Sequence, residues 1–284
     1  MNLFKIISEL EKVDPEIMDR LTHRRSALTA LGDLSKKMAL AAAPIAIGSA
    51  FNKAMGQNTL TTVAGVLNYA LLLERLEYSF YDQALKAATL TVPLTGAART
   101  AIETIRGHEL AHVTLLTSAL GSAADPQPAN GFNFGNAFAT YASFLTFAQA
   151  FEDIGVRAYK GQAVTIKTAG NPNNVLQTAL QIHSVEARHA AHIRYMRRGA
   201  TAGNQTAIMP WIMNADANGA PAPVYGAGNP VATFPAESNV AQGGITNLTT
   251  ALGATYDAAD VSAAFDEGLD STTVTNIAKS VVTF

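Results

Sequence analysis

Four long segments of this chain, near residues 61–88, 95–120, 133–168 and 173–199, are apolar at helical period, yet each carries ionisable side chains within its apolar stripe. The stretch "LLLERLEYSFYDQAL" (71–85) shows the conflict most sharply. Glu74 and Tyr81 stand close to two helical turns apart, so they share one stripe with Leu67, Leu71, Tyr78 and Leu85. Such a stripe faces a core. An isolated carboxylate there is too costly to keep charged, so Glu74 requires a pairing charge, a hydrogen-bond donor or a metal ion.

The rest of the chain supplies that partner through an internal repeat. The second segment carries Glu109 and His112 as a Glu-x-x-His pair, the third repeats the first with Glu152 and Tyr159, and the fourth repeats the second with Glu186 and His189. The two halves also agree in separation: 109 minus 74 is 35, and 186 minus 152 is 34. Glu and His three residues apart lie on one helix face and can approach a single ion together. One Glu from each of two helices, with Glu-x-x-His from each of the other two, is the arrangement that holds two iron or two manganese ions in a bundle core. Four carboxylates and two neutral imidazoles balance two divalent ions in charge. The ligand types suit iron or manganese, with imidazole also tolerating zinc or copper.

Composition narrows the chemistry further. The chain has no cysteine, which excludes thiolate metal sites, iron–sulfur clusters, disulfides and cysteine nucleophiles. A net charge of -2 with 15% charged residues offers no basic face for nucleic acid.

Stop signals separate the helices: "TVPLTG" after the first, "GSAADPQPANG" between the second and third, and "TAGNPNN" between the third and fourth. The long middle connection permits a crossover. Three regions follow: an N-terminal helical extension over 1–56, a four-helix bundle over 57–202, and a Gly/Pro/Ala-rich wrap over 203–284 with short helices near 258–267 and 271–281. In the extension, Arg24-Arg25 before "MALAAAPIAIGSAF" reads either as packed helices or as a twin-arginine signal exporting the protein to the periplasm. Asp33, Lys36 and Lys37 interrupt the signal pattern, which favours packed helices in a cytoplasmic protein.

Other charged residues read more plainly. Glu77, three residues after Glu74, reads either as an extra ligand or entry-path carboxylate or, as the plainer expectation, as a surface-leaning charge paired with a nearby cation. Asp153 points about 100° away from Glu152 around the helix, and His108 is expected to face away from the metals. His183 and His192 are expected as partly buried, hydrogen-bonded histidines.

The repeated Glu-x6-Tyr and Glu-x-x-His motifs resemble the ferritin-like superfamily, most closely its bacterial branch often labelled desiccation-related. The resemblance covers residues 60–200 by motif and, more loosely, "ESNVAQGG" and "AAFDEGL" in the tail. It implies an all-α fold, a ferritin-like four-helix bundle with the two extensions attached. It implies that Glu74, Glu109, His112, Glu152, Glu186 and His189 are metal ligands, with Glu109 and Glu186 bridging. Tyr81 and Tyr159 would each hydrogen-bond a ligand carboxylate across the pseudo-twofold, orienting it. The implied cofactors are two iron ions or, alternatively, two manganese ions. The implied chemistry is O2- or peroxide-dependent metal oxidation, as a ferroxidase or a manganese-catalase-like enzyme. A non-catalytic, stress-associated structural or assembly protein with a vestigial site is the alternative, since weakly charged apolar extensions also suit contacts with further copies of the chain.

Overall fold

The computed structural model describes residues 60–90, 94–200, 208–253 and 256–283. The N-terminal extension expected over residues 1–56, with either of its readings, lies outside the described residues. Four long helices carry the apolar segments: α1 (Val63–Lys86), α2 (Gly96–Leu120), α3 (Tyr141–Thr168) and α4 (Val175–Ala200). Thr62 opens α1 by accepting the Gly65 N–H on its side chain, and Arg197 and Arg198 sit at the negative end of α4.

Side-chain pairings fix the directions. Glu74 lies by His112 and Asp82 by Arg106, so α2 runs antiparallel to α1. Asp153 pairs with Arg194 and Gln149 with Arg197, so α4 runs antiparallel to α3. Tyr81 bonds Glu152 and Tyr159 bonds Glu74, so α3 is antiparallel to α1 and therefore parallel to α2. A parallel α2–α3 connection must travel the length of the bundle. The 25 residues of α2 extend about 37 Å, and link residues 121–140 can reach about 66 Å.

The link runs along α1, held in order by its side chains. Asn68 donates to the Ala123 carbonyl, Arg75 to Asp125, Gln83 to Phe132, and Thr89, just past the helix, to Phe138. The third helix therefore starts at Tyr141 rather than near 133. Gly131 and Gly135 take positive φ (67° and 54°), which turns the chain. Phe132 and Phe134 insert into an aromatic cluster around Phe80, and Thr140 with Ser143 then forms a capping box. Apolar residues spaced for packing in an irregular segment mimic helical period there.

Two apolar clusters fill the bundle. One joins Leu67, Leu71, Leu116, Ile166 and Ile182. The other joins Leu76, Phe80, Ile102, Phe144 and Ile193. In sequence, Glu74 on α1, Glu109 on α2, Glu152 on α3 and Glu186 on α4 each fall where their helix passes from one cluster to the other. The polar side chains thus sit midway along the bundle between two dry ends.

After the bundle come short helices α5 (Ala258–Ala263) and α6 (Ser271–Val281). Among the described residues no strand forms; of two isolated bridges, one joins Asn133 of the link to Thr283 and the other Gln242 to Ile245. The tail docks on α3 through Arg157, which is fully buried beside Glu237 at 2.7 Å. Its guanidinium also donates to the carbonyls of Val224, Gly226, Pro235 and Glu267. At the next turn Gly161 meets Gly268, and the Leu269 N–H reaches back to the Arg157 carbonyl at 2.9 Å. No helix among the described residues is long and apolar enough to cross a membrane.

Candidate metal centre

Helical period places the chemistry. On α2 and α4 the Glu-x-x-His spacing turns both side chains inward together, and on α1 and α3 the two-turn Glu-x6-Tyr spacing does the same. Glu74, Glu109, Glu152 and Glu186 are completely buried, and His112 and His189 are 8% and 4% exposed. Their ligand atoms form two groups, each gathered within 4.8 Å: Glu74, Glu109, His112 and Glu186, and then Glu109, Glu152, Glu186 and His189. Glu109 and Glu186 belong to both.

The atoms divide symmetrically. His112 Nδ1 stands 3.0 Å from Glu74 Oε2, 3.1 Å from Glu109 Oε2 and 3.2 Å from Glu186 Oε1. His189 Nδ1 stands 2.8 Å from Glu109 Oε1 and 3.4 Å from both Glu152 Oε2 and Glu186 Oε2. The remaining oxygens of Glu74 and Glu152 accept from Tyr159 and Tyr81 respectively. Each tyrosine thus anchors the carboxylate of the other half, while Glu109 and Glu186 turn both oxygens into the centre.

This donor set fits a pair of divalent cations on an observation of the protein itself. Glu109 Oε1, Glu152 Oε2, both oxygens of Glu186 and His189 Nδ1 are buried without a hydrogen-bond partner. The oxygens among them stand at ion-pair distance from the two imidazoles, His112 at Glu186 Oε1 and His189 at the others, without a hydrogen bond. Buried oxygens left unpaired in this way are costly, and converge as ligands do. Six oxygen and nitrogen ligands suit iron or manganese.

Protonation shows the same tension. Burial, reinforced by neighbouring carboxylates, holds Glu77 and Glu109 well above the usual carboxylate range. Burial also raises Glu152, to about 7, against the pull of His189. Glu186 is held down at about 2 despite its burial, because it lies between both imidazoles. Burial alone would lower His112, but the carboxylates of Glu109, Glu186 and Glu74 raise it to about 12; His189 is raised for the same reason. With no cation, the cluster neutralises itself with protons that a metal would displace.

Several neighbours differ from the sequence expectation. Glu77 is 3% exposed rather than a surface charge. A Cβ at Gly155 would stand 3.0 Å from Glu77 Oε1 and 3.8 Å from Glu186 Oε2, so this glycine on α3 leaves the room that Glu77 occupies beside the centre. His108 does not face away: its Nδ1 is 2.9 Å from His189 Nε2, and the two rings stack 12° from parallel. His192 is exposed rather than partly buried, whereas His183 is half-buried with Nδ1 at 3.0 Å from the Val156 carbonyl. Asp153 lies outside both ligand groups, paired with Arg194 and accepting from Tyr225 at 2.6 Å.

The family model described as a ferritin-like domain matches residues 62–198. No curated protein and no solved structure matches the chain.

Proposed function

The chain belongs to the ferritin-like superfamily, and from that premise we propose that it is a di-metal carboxylate protein oxidising metal ions with O2 or consuming peroxide. One observation carries the reading: two buried ligand groups share Glu109 and Glu186, whose inward oxygens have no complete set of protein partners. Glu74 and His112 would complete one metal position, and Glu152 and His189 the other. Two iron or manganese ions bound there would supply two-electron redox chemistry on O2 or peroxide.

The chain's own residues do the remainder. Glu109 and Glu186, which belong to both ligand groups and turn both oxygens inward, would be shared by the two ions. Tyr81 and Tyr159 fix the rotation of Glu152 and Glu74 and give them a hydrogen bond that does not depend on metal. The apolar clusters on either side exclude bulk water, which strengthens every electrostatic interaction within. Glu77 holds a proton beside Glu186 and is the buried acid placed to deliver one.

The test is paired. Iron(II) added aerobically to the apoprotein is expected to be oxidised much faster than in buffer, or the manganese-loaded protein is expected to evolve O2 from peroxide. The Glu109→Ala/Glu186→Ala variant should fall to the background rate in both. A folded, metal-loaded wild type no faster than buffer in either assay would overturn the proposal.

A further inference from the structure

We propose that His108 makes the two metal positions unequal, holding His189 as the stronger imidazole ligand while His112 has no counterpart. The inference rests on the di-metal reading and deepens it.

To ligate through Nδ1, His189 must carry its proton on Nε2, and that N–H then needs an acceptor. His108 Nδ1 lies 2.9 Å from this Nε2, with the ring planes nearly parallel and the centroids 5.2 Å apart. His108 is exposed, so its own Nε2 keeps its proton toward water. The pair therefore keeps the His189 proton on Nε2, so that Nδ1, set among the Glu109, Glu152 and Glu186 oxygens, is the nitrogen that gives up its proton to a metal, and it fixes the ring in place. A metal-ligating histidine held this way is a more basic and better oriented ligand, an effect of about 10–100-fold in metal affinity.

The repeat does not reproduce this device. His108 precedes Glu109 of one Glu-x-x-His pair, and Val185 precedes Glu186 of the other. Valine offers no nitrogen. Among the described residues, His112 makes its hydrogen bonds through Nδ1 alone, so its tautomer and ring position are set only by the carboxylates it would share with a metal. The residue types of the two ligand groups and the crossed tyrosine pairs obey the pseudo-twofold. His108 breaks it.

Manganese(II) titration of the full-length apoprotein by anaerobic calorimetry tests this. Wild type should bind in two steps, with dissociation constants at least about tenfold apart. His108→Val, which copies Val185, should weaken the tighter step about tenfold or more so that the two converge. His108→Asn, whose Oδ1 takes the place of the accepting nitrogen, should restore the separation; a residue that merely packs against His189 would not be rescued by so small a side chain. Two unchanged constants in His108→Val overturn this inference and leave the di-metal reading standing, as does a loss that His108→Asn fails to recover. No manganese bound by folded wild type overturns both.

Discussion

Arg157→Ala should destabilise the protein by about 3–5 kcal/mol, the cost of breaking a buried ion pair by removing one partner. Arg157 and Glu237 are both completely buried, 2.7 Å apart. Truncation strands Glu237 and removes the donor from four carbonyls spread along the tail. Burial already raises the Glu237 carboxyl, to about 8, and Arg157 is what holds it down. In the variant the folded-state value rises further above the unfolded value of about 4.3. The sign follows: a raised carboxyl contributes stability that is complete below the unfolded value and is lost as pH rises toward the folded one. Wild type and variant lose this contribution alike up to the wild-type value of about 8, so the loss in the variant relative to wild type should grow above that pH. Thermal denaturation at several pH values checks this, and Arg157→Met/Glu237→Gln should recover much of the loss because no charge is left buried.

Gly161→Ala carries the second large effect, and its sign is opposite to helix propensity. In an exposed helix interior, alanine gains about 1 kcal/mol over glycine. At Gly161 the new Cβ would overlap the Leu269 carbonyl oxygen and stand 2.8 Å from its carbon. Backbone cannot swing aside as a flexible side chain does. The 267–270 segment would have to lift, breaking the Leu269 N–H bond to Arg157 and the Arg157 bond to the Glu267 carbonyl. The expected loss is about 3 kcal/mol, with faster proteolysis of the C-terminal segment. Gly107→Ala on α2 is the matched control: nothing lies within 4 Å of its Cβ, so the same substitution there should stabilise by about 0.5–1 kcal/mol.

The clustering of the four carboxylates and two imidazoles is legible in the sequence because it depends on spacing within a helix. Residues three or seven apart share a face whatever that face packs against, so Glu109 with His112 and Glu74 with Tyr81 can be paired before any partner is known. Features set between helices are not legible in that way. Glu77 looks like a surface charge on an isolated α1, but α3 covers its side of the helix, and Gly155 opens the space it fills. His108 meets His189 only because α2 and α4 lie antiparallel at that level. Arg157 and Glu237 are separated in sequence by the rest of α3, all of α4 and part of the tail, and nothing in either neighbourhood marks one as the other's partner. The start of α3 is hidden for a related reason: Phe132, Phe134 and Phe138 keep packing to the aromatic cluster while Gly131 and Gly135 bend the chain away from helix.

The crossed tyrosines tie fold and centre together. Each links the first half of the repeat to the second, so the two groups of carboxylates and imidazoles come together only when α1 and α3 are docked antiparallel. Assembly of the bundle and assembly of the ligand set are one event, and bound metal should stabilise the folded state by mass action.

Elemental analysis of the purified, folded protein, expressed in medium supplemented with iron and manganese, tests the central claim most directly. It should show about two iron or manganese ions per chain, and the Glu109→Ala/Glu186→Ala variant, lacking both shared carboxylates, should retain almost none. Metal near zero in folded wild type, or the same content in the variant, would contradict the account.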